Sequence, residues 1–157
     1  MAEIKVFEYC ETNQKGHLTR ARKELERLGA ENISYLKNGK PVANNLFVSI
    51  SHSNGRCAVC VSEREVGIDI EKIADRDFEK IVRKTFSKKE REYYFNSKSP
   101  QTFYEIWTRK EAYSKISGDG IRDIMKATDT FSLEGYEFKT QIQDGFVLTV
   151  CEKRNTD

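Results

Sequence analysis

No apolar run in the 157-residue chain is longer than about five residues, as in Cys57 to Val61, whereas a membrane-crossing helix needs roughly 20. The first residues, MAEIKVFEYC, lack a basic start followed by an apolar stretch. A secretory leader is therefore not expected, and the chain reads as cytoplasmic. Charge of one sign is missing too: 27 basic against 25 acidic residues leave a net +2, too little to argue for nucleic acid. Of the four cysteines only Cys57 and Cys60 lie close together, with no second CxxC pair. In the alternating segment CAVCV, residues three apart point to opposite faces of a strand, which argues against a shared zinc ion. No linker or low-complexity tract divides the chain, so residues 1–157 form a single compact domain. What is present, 38% hydrophobic and 11% aromatic residues, suffices for a packed interior and argues against disorder.

Local patterns set out the elements. Leu18, Ala21, Leu25 and Leu28 recur at helical spacing and Gly29 follows as a stop. A short strand, ISYL, and an Asn38-Gly39 turn come next. From Leu46 the period becomes two: LFVSISHS, then Asn54-Gly55, then RCAVCVSE, a hairpin whose Asn-Gly supplies the positive φ angles of a type I′ turn. A third strand, VGIDIE, follows. Ser87 with Glu90 three residues on predicts a capping box and a helix from about Lys88. Ser99-Pro100 opens another helix, with Gly118 as its stop. The tail predicts strands at TFSL, YEFK, QIQ and FVLTVCE, the last two around an Asp144-Gly145 turn.

Three places carry residues suited to chemistry. In VGIDIE, alternation puts Val66, Ile68 and Ile70 on one face and Asp69 and Glu71 on the other. Such paired carboxylates fit a hard divalent cation sharing phosphate oxygens, and equally fit a solvated strand face. On the helix from Pro100, Trp107, Glu111 and Lys115 share a face. Glu111 and Lys115 could be an ordinary surface ion pair, worth about 0.3–0.5 kcal/mol, and Trp107 is assigned to packing. His52, one of only two histidines, sits with Ser51 and Ser53 at a hairpin end, where a ring N–H and hydroxyls could hold a phosphate or cap a turn.

Read together, GKP, ISHS, GIDIE, FSKKE and WTRKEAYSK, in this order over roughly residues 38 to 121, resemble the 4′-phosphopantetheinyl transferase superfamily, particularly its single-chain, pseudo-dimeric, surfactin-synthetase-activating type. The resemblance implies an α+β fold of two unequal halves related by a pseudo-twofold axis, antiparallel sheets packed with helices. The halves would be 1–64 and 65–157. It implies magnesium-dependent transfer of the 4′-phosphopantetheine arm of coenzyme A to a serine of an apo acyl or peptidyl carrier protein, by a monomer. Asp69, Glu71 and Glu111 would hold Mg²⁺, and Glu111 would also be the general base. Lys115 and Lys110 would face the pyrophosphate. His52, Ser51 and Lys40 would hold the adenosine-side phosphates. His17 and Thr19 resemble an adenine-side motif of the family. Only about fifty residues precede ISHS, so the first half is expected to be shortened.

Residues 72 to 92 hold eight basic and five acidic side chains, a local +3, with Ile73, Phe78, Ile81, Val82 and Phe86 among them. A basic rim around an apolar patch would steer an acidic carrier. Two further functions fit the same residues: a non-catalytic module that binds coenzyme A or a carrier, and a magnesium-dependent phosphohydrolase that uses water in place of the carrier serine.

Overall fold

One strand–helix–hairpin scheme occurs twice along the chain, in a computed structural model that describes residues 1–10, 14–117 and 128–156. In the first half, β1 (Glu3–Glu8) and α1 (Gln14–Arg27) precede the two-residue strands β2 (Ser34–Tyr35) and β3 (Pro41–Val42). The hairpin β4 (Phe47–Ser53) and β5 (Arg56–Ser62) completes it. In the second, β6 (Val66–Lys72) leads to α2 (Glu79–Thr85), α3 (Lys88–Ser97) and α4 (Pro100–Ser117), then to the hairpin β7 (Tyr136–Gln143) and β8 (Phe146–Lys153). Each half builds a three-stranded antiparallel sheet in which the opening strand pairs with the last: β1-β5-β4 and β6-β8-β7. The chain thus has the α+β architecture expected from its motifs. The repeat lies in strand order and leaves no trace in residue identity.

Turn chemistry explains both hairpins. Asn54 and Gly55 take φ of 44° and 83°, Asp144 and Gly145 of 53° and 78°, the left-handed pair that a two-residue turn requires. The capping box forms as its spacing demands: Ser87 Oγ accepts from Glu90 N at 3.2 Å, and Glu90 Oε1 accepts from Ser87 N at 2.9 Å. Pro100 is the first residue of α4. Its Gly118 stop lies outside the described residues.

Other expectations need correcting. TFSL is a turn: Thr130 gives both its N–H and its hydroxyl to Glu90 Oε2, and Asp129 Oδ1 accepts from Phe131 N, so side chains take the groups that a strand would pair. YEFK and QIQ are one continuous strand, β7. β1 escaped notice, although Ile4 and Val6 alternate with charged neighbours. Leu18 is exposed, and the neighbouring His17 takes the buried position beside Ala21 and Leu25.

Four apolar clusters form among the described residues, three of them large. Phe7, Ala21, Leu25, Val48, Cys57 and Val59 fill the space between α1 and the first sheet, while Ala58, Cys60, Ile68, Ile70, Leu148 and Val150 fill the space between the two sheets. Cys57 and Cys60 therefore lie on opposite faces of β5. Under α2–α4, Phe103 stacks on Phe78 at 4.1 Å and on Phe86 at 5.5 Å between ring centroids. Phe78, Val82 and Phe86 belong to this core, so the surface near residues 72–92 is basic but lacks the apolar patch expected of them. At α4 the second half closes tightly: a Cβ at Gly67 would stand 1.9 Å from the Ala112 carbonyl oxygen, so only glycine lets β6 approach the helix this closely.

Candidate active site at the seam between the sheets

Because Gly67 faces α4, alternation turns Asp69 and Glu71 to the same side, toward the helix that carries Glu111 and Lys115. Asp69 and Glu111 are buried, 4% and 8% exposed. A solvated strand face and a surface Glu111–Lys115 pair are both excluded by that burial. Lys115 Nζ instead lies 3.7 Å from Asp69 Oδ1 and donates to the carbonyls of Ile50 at 3.1 Å and Ile68 at 2.7 Å. One ammonium thus bridges β4, β6 and a carboxylate.

The seam between β4 and β6 is unusual in its bonding. The N–H groups of Ile68, Ile70 and Lys72 donate to the hydroxyls of Ser49 at 3.1 Å, Ser51 at 3.1 Å and Ser53 at 3.2 Å. A constant offset of nineteen residues follows from these three pairs, so the strands run parallel, joined by side chains where a sheet would use carbonyls. Ser51 Oγ also donates to Asp69 Oδ1 at 3.0 Å, and Ser53 Oγ lies 3.5 Å from Glu71 Oε2. Asp69 Oδ2 is buried without a partner.

Burial, and for two of them the charge of Asp69, perturb the acids. Glu111 is pushed up to about 8, first by burial and then by the charge of Asp69, with Lys115 opposing. Glu71 is pushed up to about 7 by burial and Asp69. Asp69 is raised by burial against the pull of Lys115 and Ser51. Glu71 and Glu111 therefore both respond to the charge of Asp69, whereas Asp69 itself is raised by burial alone. Among the described residues no three His, Cys, Asp or Glu side chains close into a metal cage of their own. A magnesium site needs only one or two carboxylates when phosphates complete it, and the orphaned Asp69 Oδ2 fits that requirement.

Above the seam opens a cavity of about 300 Å³, walled by Lys40, Ser49, Ile50, Glu111, Ser114 and Lys115 among others. Lys40 reaches it from the Asn38-Gly39 turn and donates to the Ile116 carbonyl at 3.0 Å near the end of α4. Of the residues singled out from sequence, Lys40, Glu111 and Lys115 line this cavity, with Asp69, Glu71 and Ser51 gathered at the adjoining seam.

His52 and Lys110 lie elsewhere. His52 points to the opposite face of β4, where its ring is 4.5 Å from that of His17 and its Nδ1 is 3.2 Å from the Tyr9 hydroxyl. Burial, His17 and Lys115 lower its pKa. Both nitrogens of the buried His17 lack hydrogen-bond partners, so this cluster of rings has unmet polar capacity of its own. Lys110 does not face the carboxylates. It is 1% exposed, donates to Glu90 Oε1 at 2.7 Å and to the Thr128 carbonyl at 2.6 Å, and so ties α3, α4 and the segment after residue 127 together. Helix geometry explains this placement: consecutive residues diverge by about 100°, and Glu111 already occupies the site-facing direction. Gly67 and Ser49 were missed as site residues; the legible signal was a glycine inside a strand.

No described helix is long and apolar enough to cross a membrane. The family model of the 4′-phosphopantetheinyl transferase superfamily matches residues 65–154. The chain is 38% identical over 99 residues to 4′-phosphopantetheinyl transferase gsp from Aneurinibacillus migulanus, covering 58% of this chain and 40% of that protein. It is 38% identical over 90 residues to 4′-phosphopantetheinyl transferase Sfp from Bacillus subtilis strain 168, covering 53% and 39%. With 4′-phosphopantetheinyl transferase AcpT from Salmonella typhi it shares 35% identity over 126 residues, covering 74% and 65%. The matched stretch thus spans about two fifths of the length of the first two relatives. With the model covering more than half of the chain, including β6, α4 and the carboxylates on them, the chain belongs to the 4′-phosphopantetheinyl transferase superfamily.

Proposed function

We propose that this protein transfers the 4′-phosphopantetheine group of coenzyme A to a serine of a carrier protein, with Mg²⁺ as cofactor. The observation that supports this most directly is the meeting of Glu111 and Lys115 in one cavity wall, with Lys115 Nζ 3.7 Å from the carboxylate of the buried Asp69, whose Oδ2 has no partner. Asp69, Glu71 and Glu111 are the residues that would hold Mg²⁺. The ion would supply charge neutralisation on the pyrophosphate. Glu111, raised to about 8, suits a general base working near neutral pH. Its carboxylate takes the proton of the carrier serine hydroxyl; the serine oxygen then forms a bond to the phosphorus on the pantetheine side of the pyrophosphate. The bond from that phosphorus to the bridging oxygen breaks, and adenosine 3′,5′-bisphosphate leaves with the electron pair. Lys115 and Lys40 offset the charge gathering on the phosphate oxygens. His52, on the other side of β4, is left for the 3′-phosphate.

The test is mass spectrometry of an apo carrier protein incubated with the chain, coenzyme A and Mg²⁺. A gain of one phosphopantetheine with release of adenosine 3′,5′-bisphosphate is expected, and Glu111→Gln should slow it about 10²–10⁴-fold. Cleavage of coenzyme A without carrier modification would make the protein a hydrolase. Coenzyme A binding without any chemistry would make it a binding module. Near-parental transfer by Glu111→Gln at saturating Mg²⁺ and coenzyme A would remove Glu111 from the base role.

A further inference from the structure

A hydroxyl has one proton to give and two lone pairs to receive with. At Ser51 one lone pair accepts from Ile70 N, 3.1 Å away, and the proton goes to Asp69 Oδ1 at 3.0 Å. Ser51 is 6% exposed and faces the seam. It has no proton left for a phosphate unless it releases Asp69. Oδ1 is further engaged by Lys115 at 3.7 Å, while Oδ2 of the same carboxylate is buried with no partner. The other buried polar atoms without partners, among the described residues, are the His17 nitrogens on the far side of β4.

We propose that Ser51 is a positioning residue for Asp69: by holding Oδ1 it fixes the carboxylate so that Oδ2 is the oxygen offered to a divalent cation. Ser49 and Ser53 support this by accepting from Ile68 N and Lys72 N, which pins β6 one residue before Asp69 and three residues after it. The serine alternation of ISHS then reads as a device for setting the register of β6 against β4. The role differs from direct phosphate binding by Ser51, the assignment drawn from the motif. It rests on the proposed metal-dependent transfer.

The two roles separate in binding measurements on the full chain. Free Mn²⁺, followed by its paramagnetic resonance signal without coenzyme A, reports the metal site alone. Calorimetric titration of coenzyme A with a chelator present reports phosphate contacts alone. Ser51→Ala is expected to weaken Mn²⁺ binding about 10–100-fold, the usual effect of losing an outer partner of a metal ligand, and to leave metal-free coenzyme A binding unchanged. Ser51→Thr, which keeps the hydroxyl, should recover most of the Mn²⁺ affinity. If Ser51→Ala does not fold, Ser51→Cys, similar in size and a weak donor, takes its place with the same expectations. Unchanged Mn²⁺ affinity in the variant, or a loss confined to metal-free coenzyme A binding, overturns the positioning role. If the parent still modifies the carrier in that case, the transferase assignment survives and only this inference falls. A parent that binds no Mn²⁺ either alone or with coenzyme A present removes both the metal site and the role of Ser51 in it.

Discussion

Replacing Lys110 by methionine removes an ammonium whose nitrogen lies 2.7 Å from Glu90 Oε1 and 2.6 Å from the Thr128 carbonyl, in a pair that is 1% and 0% exposed. Breaking a buried ion pair by deleting one partner typically costs about 3–5 kcal/mol, because the surviving charge stays out of water. Glu90 would keep three donors, Ser87 N, Thr130 N and the Thr130 hydroxyl, which places the cost at the lower end, about 3 kcal/mol. For a chain of this length each kcal/mol moves Tm by about 2–4 °C, so Lys110→Met should melt about 6–12 °C lower. Adding Glu90→Gln removes the stranded charge while keeping an acceptor for one backbone N–H. The double variant should therefore be more stable than Lys110→Met alone. Differential scanning calorimetry of the three proteins reads the cycle. For the folded variant, KM for coenzyme A should match the parent, since Lys110 is turned away from the cavity. A Tm within about 2 °C of the parent, less than one kcal/mol on this scale, together with a raised KM, would refute the structural role and return Lys110 to the pyrophosphate.

Gly67→Ala should cost about 1–3 kcal/mol and about 10²-fold in transfer, because a methyl 1.9 Å from the Ala112 carbonyl forces α4, with Glu111, to retreat by roughly an ångström; parental activity in the folded variant would contradict the tight contact. Glu111 binds its proton up to about pH 8 when folded but only to about 4.5 when unfolded, so the native state holds more protons between these values and metal-free stability must fall as pH rises through that window. Glu111→Gln lacks this titration, and melting curves at pH 5 and pH 8 should show the variant gaining on the parent, by an amount on the order of a few kcal/mol at the upper end. Reversing the exposed Lys80 and Arg83 to glutamate should slow modification of an acidic carrier through weaker encounter, and added salt should slow the parent likewise; stopped-flow rates that ignore both changes would move carrier docking to another surface.

Elements specified by their own residues were legible in the sequence. The Asn54-Gly55 and Asp144-Gly145 turns, the Ser87–Glu90 capping box and Pro100 each act within four residues of chain, and all three kinds of signal gave the structure found. Elements fixed by distant partners were not. Thr130 leaves a strand-like pattern because Glu90, forty residues earlier, offers its carboxylate. On α1, Leu18 and His17 differ by one step of about 100° around the helix, and stripe counting chose the leucine. The structure buries the histidine because Tyr9 stacks on its ring at 4.5 Å and His52 lies equally near, contacts made across three separate elements.

At the candidate site, the same Asp-x-Glu alternation was compatible with a solvated strand and with a buried cluster, and a neighbouring residue in the strand decides between them. A strand face open to water has no use for glycine, which weakens strands and leaves nothing to pack. A face that must accept a helix backbone at contact distance can use nothing else, and Gly67 stands two residues before Asp69 on that face. The glycine brings α4 down, the helix carries Glu111 and Lys115 with it, and the carboxylates lose water together. Burial is the leading cause of the raised pKa values of Asp69, Glu71 and Glu111. The small residue at the start of GIDIE is thus what lets α4 close over two acids and take them out of water, which raises both and, for Glu71, adds the repulsion of Asp69.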